Sequence, residues 1–134
     1  QHPQPALLVE RADLLEHRGD IEGAIDATKQ AVAIDADYYT AWTRLADWYR
    51  GIGNRKAYLE AAENLVRLNP NSAIPHGYLY DDLNFSKNKE SQAKAIEQLK
   101  LAVQIDPEYE FGTNTLLNHF AEKGTWDEAS ALFA

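Results

Sequence analysis

Cysteine and methionine are both absent from this 134-residue chain. Without cysteine there is no disulfide, no thiol nucleophile and no thiolate metal site. Without methionine, residue 1 is not a native start, so a fragment or processed product is expected, with residues 1–4 as a linker or tail. Basic residues are scarce: 13 Lys and Arg stand against 21 Asp and Glu, a net charge of −8. That balance argues against nucleic acid as the main partner, because phosphate binding needs Lys/Arg stripes. It argues equally against an anionic membrane surface. No apolar run approaches the roughly 18 residues of a spanning helix. No His-x3-His pair, HExxH or glycine-rich phosphate loop occurs, and Gly51-Ile52-Gly53 reads as a helix end. No metal, cofactor or catalytic residue is therefore expected. Of the four histidines, His2 lies in the tail and His17 stands alone, while His76 and His119 read as packing residues.

What is present is helical periodicity. Apolar residues recur at three and four in Ala24, Ile25, Ala31 and Val32, and again in Ala95, Ile96, Leu99, Ala102 and Val103. Asp20 precedes Ile21 as a helix start, Thr125 with Glu128 forms a capping box, and Asp106-Pro107 reads as N-cap and first helical residue. Gly19-Asp20 and Gly53-Asn54 read as stop-then-start between antiparallel helices. These signals predict eight helices in four pairs, an all-α fold without strands.

The chain also repeats. Trp42, Leu45, Ala46, Tyr49, Gly53 and Pro70 form a pattern that recurs in looser form before and after, at a period of roughly 34 residues. This pattern resembles the tetratricopeptide repeat (TPR) over nearly the whole chain. The units are expected at 5–38, 39–72, 73–109 and 110–134. The first carries Leu8, Ala12, Leu15, Ala24 and Ala31. In the second, Tyr58 and Ala62 exchange the usual small and large positions, a swap that cores tolerate if volume is kept. The third lacks the turn glycine and gains three residues within 84–91, read as a lengthened polar loop. The fourth carries Leu116, Leu117, Phe120, Gly124, Trp126, Ala129 and Phe133, and stops within its second helix. Trp42, Tyr49, Phe120 and Trp126 take core slots and are expected to be buried, and Trp48 is expected to wedge between repeats.

The resemblance implies a right-handed solenoid of about four helical hairpins, whose first helices line a concave, partner-binding groove. One groove position holds Asp13, Asp47, Asp81 and then Asn118. Arg44, Tyr78, Phe85 and Phe111 join it, and Val9 is placed on the same face. Three aspartates in register suit a protein or peptide segment carrying basic residues. The alternative is that these carboxylates pair within the fold, neutralised by Arg44 and Arg50. A shared-proton dyad is excluded, since one aspartate per repeat leaves them about 10 Å apart. The family's carboxylate clamp, which grips the C-terminal motif of heat-shock chaperones, needs Lys, Arg and Asn donors. The matching positions here hold Val9, Asp13, Arg44, Ile74 and Tyr78, so that ligand is not expected. The unclosed last helix, with Leu132 and Phe133, is a candidate for self-association. The leading reading is a non-enzymatic protein–protein scaffold within a larger, bacterial parent protein. Self-association, and an accessory arm of an enzyme beyond this segment, are the alternatives.

Overall fold

The computed structural model describes residues 4–85 and 88–133, apart from the side chains of Asp82 and Phe85. Among the described residues it is helical throughout: α1 Pro5–His17, α2 Ile21–Ile34, α3 Tyr39–Ile52, α4 Arg55–Leu68, α5 Ala73–Phe85, α6 Lys89–Ile105, α7 Glu110–Lys123 and α8 Trp126–Phe133. Two compact units result, the first ending at Leu68 and the second beginning at Asn69. In the first, α1 packs on α2, α2 on α3 and α3 on α4; in the second, α5 packs on α6, α6 on α7 and α7 on α8.

The hairpin turns follow from backbone chemistry. After α1, α3 and α7 a glycine takes positive φ: Gly19 at 85°, Gly53 at 78° and Gly124 at 69°. That conformation costs a side-chain-bearing residue about 1–2 kcal/mol. It lets the next amide reach five residues back: Asp20 to the Leu15 carbonyl, Asn54 to Tyr49 and Thr125 to Phe120, at 2.8, 3.0 and 3.0 Å. These bonds satisfy carbonyls that the helix end would otherwise strand. Asp20 then opens α2 by accepting from the Gly23 amide at 2.8 Å, as its sequence position predicts. The third turn lacks glycine, and Ser86 and Lys87 lie outside the described residues. Asn88 opens α6 by accepting from the Glu90 amide. Three positions, 86–88, separate α5 from α6. The lengthened loop expected there falls partly outside the described residues, and α6 has 17 residues against 14 in α4.

A second recurring device ties each new hairpin to the residues before it. Trp42 Nε1 donates to the Ala36 carbonyl at 2.8 Å. His76, one repeat later, sets Nε2 2.8 Å from the Pro70 carbonyl. Thr113 Oγ1, at the same slot of the fourth repeat, donates to the Pro107 carbonyl at 3.3 Å. Three unlike side chains make one bond, always six residues back. His76 is buried, and its Nδ1 lies 2.7 Å from Gln98 Oε1, so its role is structural, as expected.

The cores differ. Among the described residues the first unit packs Leu8, Val9, Ala31 and Ala41 together, and Ala12, Ala24 and Ala27 with Trp48 against them, beside buried Leu45, Tyr58 and Leu65. Trp48 thus wedges one repeat onto the previous one. The second has one larger cluster of Tyr80, Ala95, Leu99, Val103, Leu116, Phe120 and Ala129. Tyr58 and Ala62 are both buried, in keeping with the size swap, and Leu99 takes the Ala62 position in the third repeat. Three expectations are corrected. Asp106 is the C-cap of α6, its backbone extended and its carboxylate accepting from the Glu108 amide, and α7 begins only at Glu110. Trp126 is 57% exposed, and Trp42 and Tyr49 are half-buried; Phe120 alone of these four is fully buried. Val9 belongs to the core rather than to a binding face.

Candidate functional site

On the first unit the candidate residues come from α1 and α3. Asp13 and Arg44 meet in a two-pronged ion pair, Nε to Oδ1 at 2.8 Å and Nη2 to Oδ2 at 3.2 Å. Such a fork fixes the guanidinium plane as well as its charge. The Arg44 pKa is raised first by the Asp13 hydrogen bond, against the opposing effect of burial, and then by the charges of Asp13, Asp47 and Glu16. Asp47 and Glu16 thus add negative charge near a guanidinium that Asp13 already holds. Asp47 is exposed and Asp13 half-buried. Arg50 reaches α4: Nη2 donates to the Tyr58 hydroxyl at 2.9 Å, and its guanidinium sits 5.3 Å above the Tyr58 ring. The pairing anticipated as the alternative is thus realised at Asp13.

On the second unit they come from α5 and α7. Phe111 is 46% exposed and packs its ring 6.0 Å from both Tyr80 and Tyr109, edge-on to the former. Tyr78 and Asp81 are half-buried. Burial raises the Tyr80 pKa, and the Asp81 carboxylate adds to that shift. Asn118 is exposed and lines a hollow of 270 Å³ with Tyr80, Asn84, Thr115, His119 and Glu122. A larger hollow of 670 Å³, reaching Lys89, Gln92, Lys123 and Glu128, shares Asn84, Ile96 and His119 with it. His119 is pushed below the usual imidazole range by burial, then by Lys123 and Lys100.

Where the second repeat sets Arg50 against Tyr58, the third sets Asn84 and Ala95. Asn84 is shorter than Arg50 and lines both hollows, whereas Ala95 is fully buried in the core beside them. Sequence reasoning missed Tyr80 and His119 as members of this surface, whereas Thr115 stands at one of the expected groove positions. Tyr80 neighbours assigned positions without sharing one, and His119 reads as a packing residue. Phe85 falls outside the described side chains. Leu132 packs against the second core while Phe133 is 36% exposed. Among the described residues no group of three or more His, Asp or Glu could hold a metal ion, and no helix is long and apolar enough to cross a membrane.

Residues 5–48 match the tetratricopeptide repeat family model. The chain is 28% identical over 132 residues, 98% of its length, to the tetratricopeptide repeat and J domain-containing co-chaperone DNJ1 of Cryptococcus neoformans var. grubii. It spans only 24% of that protein. Among solved structures, MamA superposes with a TM-score of 0.77 at 22% identity, covering 96% of this chain and 74% of MamA. The first TPR domain of Spaghetti (RPAP3), solved with the HSP90 peptide SRMEEVD, gives 0.72 at 16% identity, covering 91% and 94%. Residues 5–48 thus resemble the tetratricopeptide repeat, and the chain shares the helical-hairpin fold of these solved structures.

Proposed function

We propose that the first-helix faces of the two units bind an extended or helical segment of a partner protein that carries basic residues. Asp13, Arg44 and Asp47 would contribute from the first unit, and Tyr78, Asp81, Phe111 and Asn118 from the second. The family and the similarity to a co-chaperone support a protein–protein interaction role. The observation that carries the finer reading is the cluster of Asp13, Glu16 and Asp47 around one Arg44 already held by Asp13. An added cation finds favourable potential there, and an added carboxylate does not. Phe111 offers apolar contact area.

No catalytic step is assigned to this chain. Nor does the proposal extend to acidic chaperone tails of the kind bound by the RPAP3 domain. Val9, the first matching clamp position, is buried, and Ile74 and Tyr78 supply no cation.

The experiment is a pull-down from the native host with the wild-type chain beside an Asp47→Lys/Asp81→Lys variant. A partner lost only in the variant supports the proposal, and a partner retained by both refutes it. Saturable binding of the peptide SRMEEVD in an anisotropy titration would overturn the exclusion of chaperone tails.

A further inference from the structure

The junction of α1 with α3 and that of α5 with α7 share one register. Tyr38 packs against the cluster that holds Val9 and Ala41. Tyr109 takes the same place over Gly77 and Gly112, which stand at the repeat positions of Val9 and Ala41. A Cβ at Gly77 would strike the Tyr109 hydroxyl, and one at Gly112 would lie 2.9 Å from its ring. The other positions of the two junctions therefore match residue by residue.

At the first junction Arg44 forks onto Asp13, and the charges of Asp47 and Glu16 also act on it. The matching residues of the second unit are Thr115, Asp81, Asn118 and Asn84. The aspartate is kept and the arginine is gone. Thr115 does not take its place as a donor, because its hydroxyl donates to the Phe111 carbonyl at 2.6 Å. Thr115, Asn118 and Asn84 instead line the 270 Å³ hollow. Tyr80 lines it too, its pKa raised by burial and then by the Asp81 carboxylate. Burial, then Lys123 and Lys100, hold His119 below the usual imidazole range, so among the described residues that line the hollow only Glu122 is charged near neutral pH. Space thus opens beside the place that an arginine of α7 would fill, with acceptors around it.

Resting on the groove reading above, we propose that this hollow receives an arginine side chain of the partner segment, which does for α5 and α7 what Arg44 does for α1 and α3. Its guanidinium forks onto Asp81, and its remaining donors meet the side-chain oxygens of Asn84, Asn118 and Glu122. A carboxylate offers about four acceptor sites, so Asp81 takes the fork beside any bond it makes within the chain. A guanidinium carries its donors in a fixed plane and suits acceptors spread around a hollow. The compact ammonium of lysine does not, so the hollow selects arginine among basic residues.

The test is an NMR titration of the isotope-labelled chain with the peptide Gly-Ser-Arg-Ser-Gly and, separately, with Gly-Ser-Lys-Ser-Gly. The side-chain amide signals of Asn84 and Asn118 shift to saturation with the arginine peptide and stay in place with the lysine peptide. Asp81→Asn, which keeps the side-chain shape, loses the saturation. Thr115→Arg loses it as well, because the chain then fills its own hollow, and each variant keeps the wild-type circular dichroism. No saturation with the arginine peptide, equal shifts with both peptides, or saturation that survives in Thr115→Arg overturns the inference. The pull-down separates it from the reading on which it rests. Thr115→Arg should lose the same partner as Asp47→Lys/Asp81→Lys. A partner that only the double variant loses overturns arginine selection and leaves the groove reading standing, whereas a partner retained by both refutes the groove reading itself.

Discussion

All six arginines of the chain lie in the first unit, while the second has lysine as its only strong base. In the first unit they fasten helices: Arg44 to Asp13 across α1 and α3, Arg50 to Tyr58 across α3 and α4, and Arg67 to Asp37 and the Ala36 carbonyl. In the second, Tyr78 and Asn84 replace Arg44 and Arg50, aromatic rings cluster around Phe111, and a hollow opens at Asn84. One helical register is thus held in two ways. In the first unit Ala12, Ala24, Ala27, Ala31 and Ala41 pack between helices that the Asp13–Arg44 fork also joins. A large aromatic core instead supplies apolar area and leaves surface space unfilled.

The contrast breaks most visibly at Phe120. Phe120→Ala empties the centre of the second core and is expected to cost about 3–5 kcal/mol in denaturant melts. Hydrogen exchange should then accelerate most in α5–α8. Equal acceleration in α1–α4 would mean that the two cores unfold as one.

The size swap is sharpened by moving it. Ala95→Tyr alone overpacks the third repeat by about 1–3 kcal/mol. Adding Leu99→Ala, which recreates the Tyr58/Ala62 pairing, should recover part of that loss, because neighbouring core residues couple. Strict additivity of the two changes would sink the swap.

The smallest effect belongs to the arginine fasteners. Asp13 and Arg44 are 43% and 39% exposed, so solvent screens their pair, and a double-mutant cycle should give about 0.2–1 kcal/mol. That coupling should shrink further in high salt. A coupling that is large and indifferent to salt would contradict this account of the pair.

Much of this was legible in advance. Periodicity marked the helices, and the glycines and Asp20 marked their turns. Asp106-Pro107 misled because aspartate before proline suits either side of a helix boundary: proline can open a helix or follow the end of one. Here Tyr109 stands where Tyr38 does, just ahead of the next first helix, and the helix starts after it. Trp126 misled because a repeat slot is buried only if a neighbour covers it, and a single unit cannot state its own neighbours. The aspartate line was visible as spacing, yet spacing says nothing about which carboxylate a guanidinium will choose.

The sequence by itself determined the helical hairpins, because periodicity, caps and positive-φ glycines act over a few residues of chain. It also determined the register, through side chains at one slot that reach a carbonyl six residues back. Only the tertiary structure decided that Asp13 is paired, that Val9 is core, and that a hollow stands at Asn84. Each of these depends on side chains from different helices meeting across a gap whose size no single segment encodes.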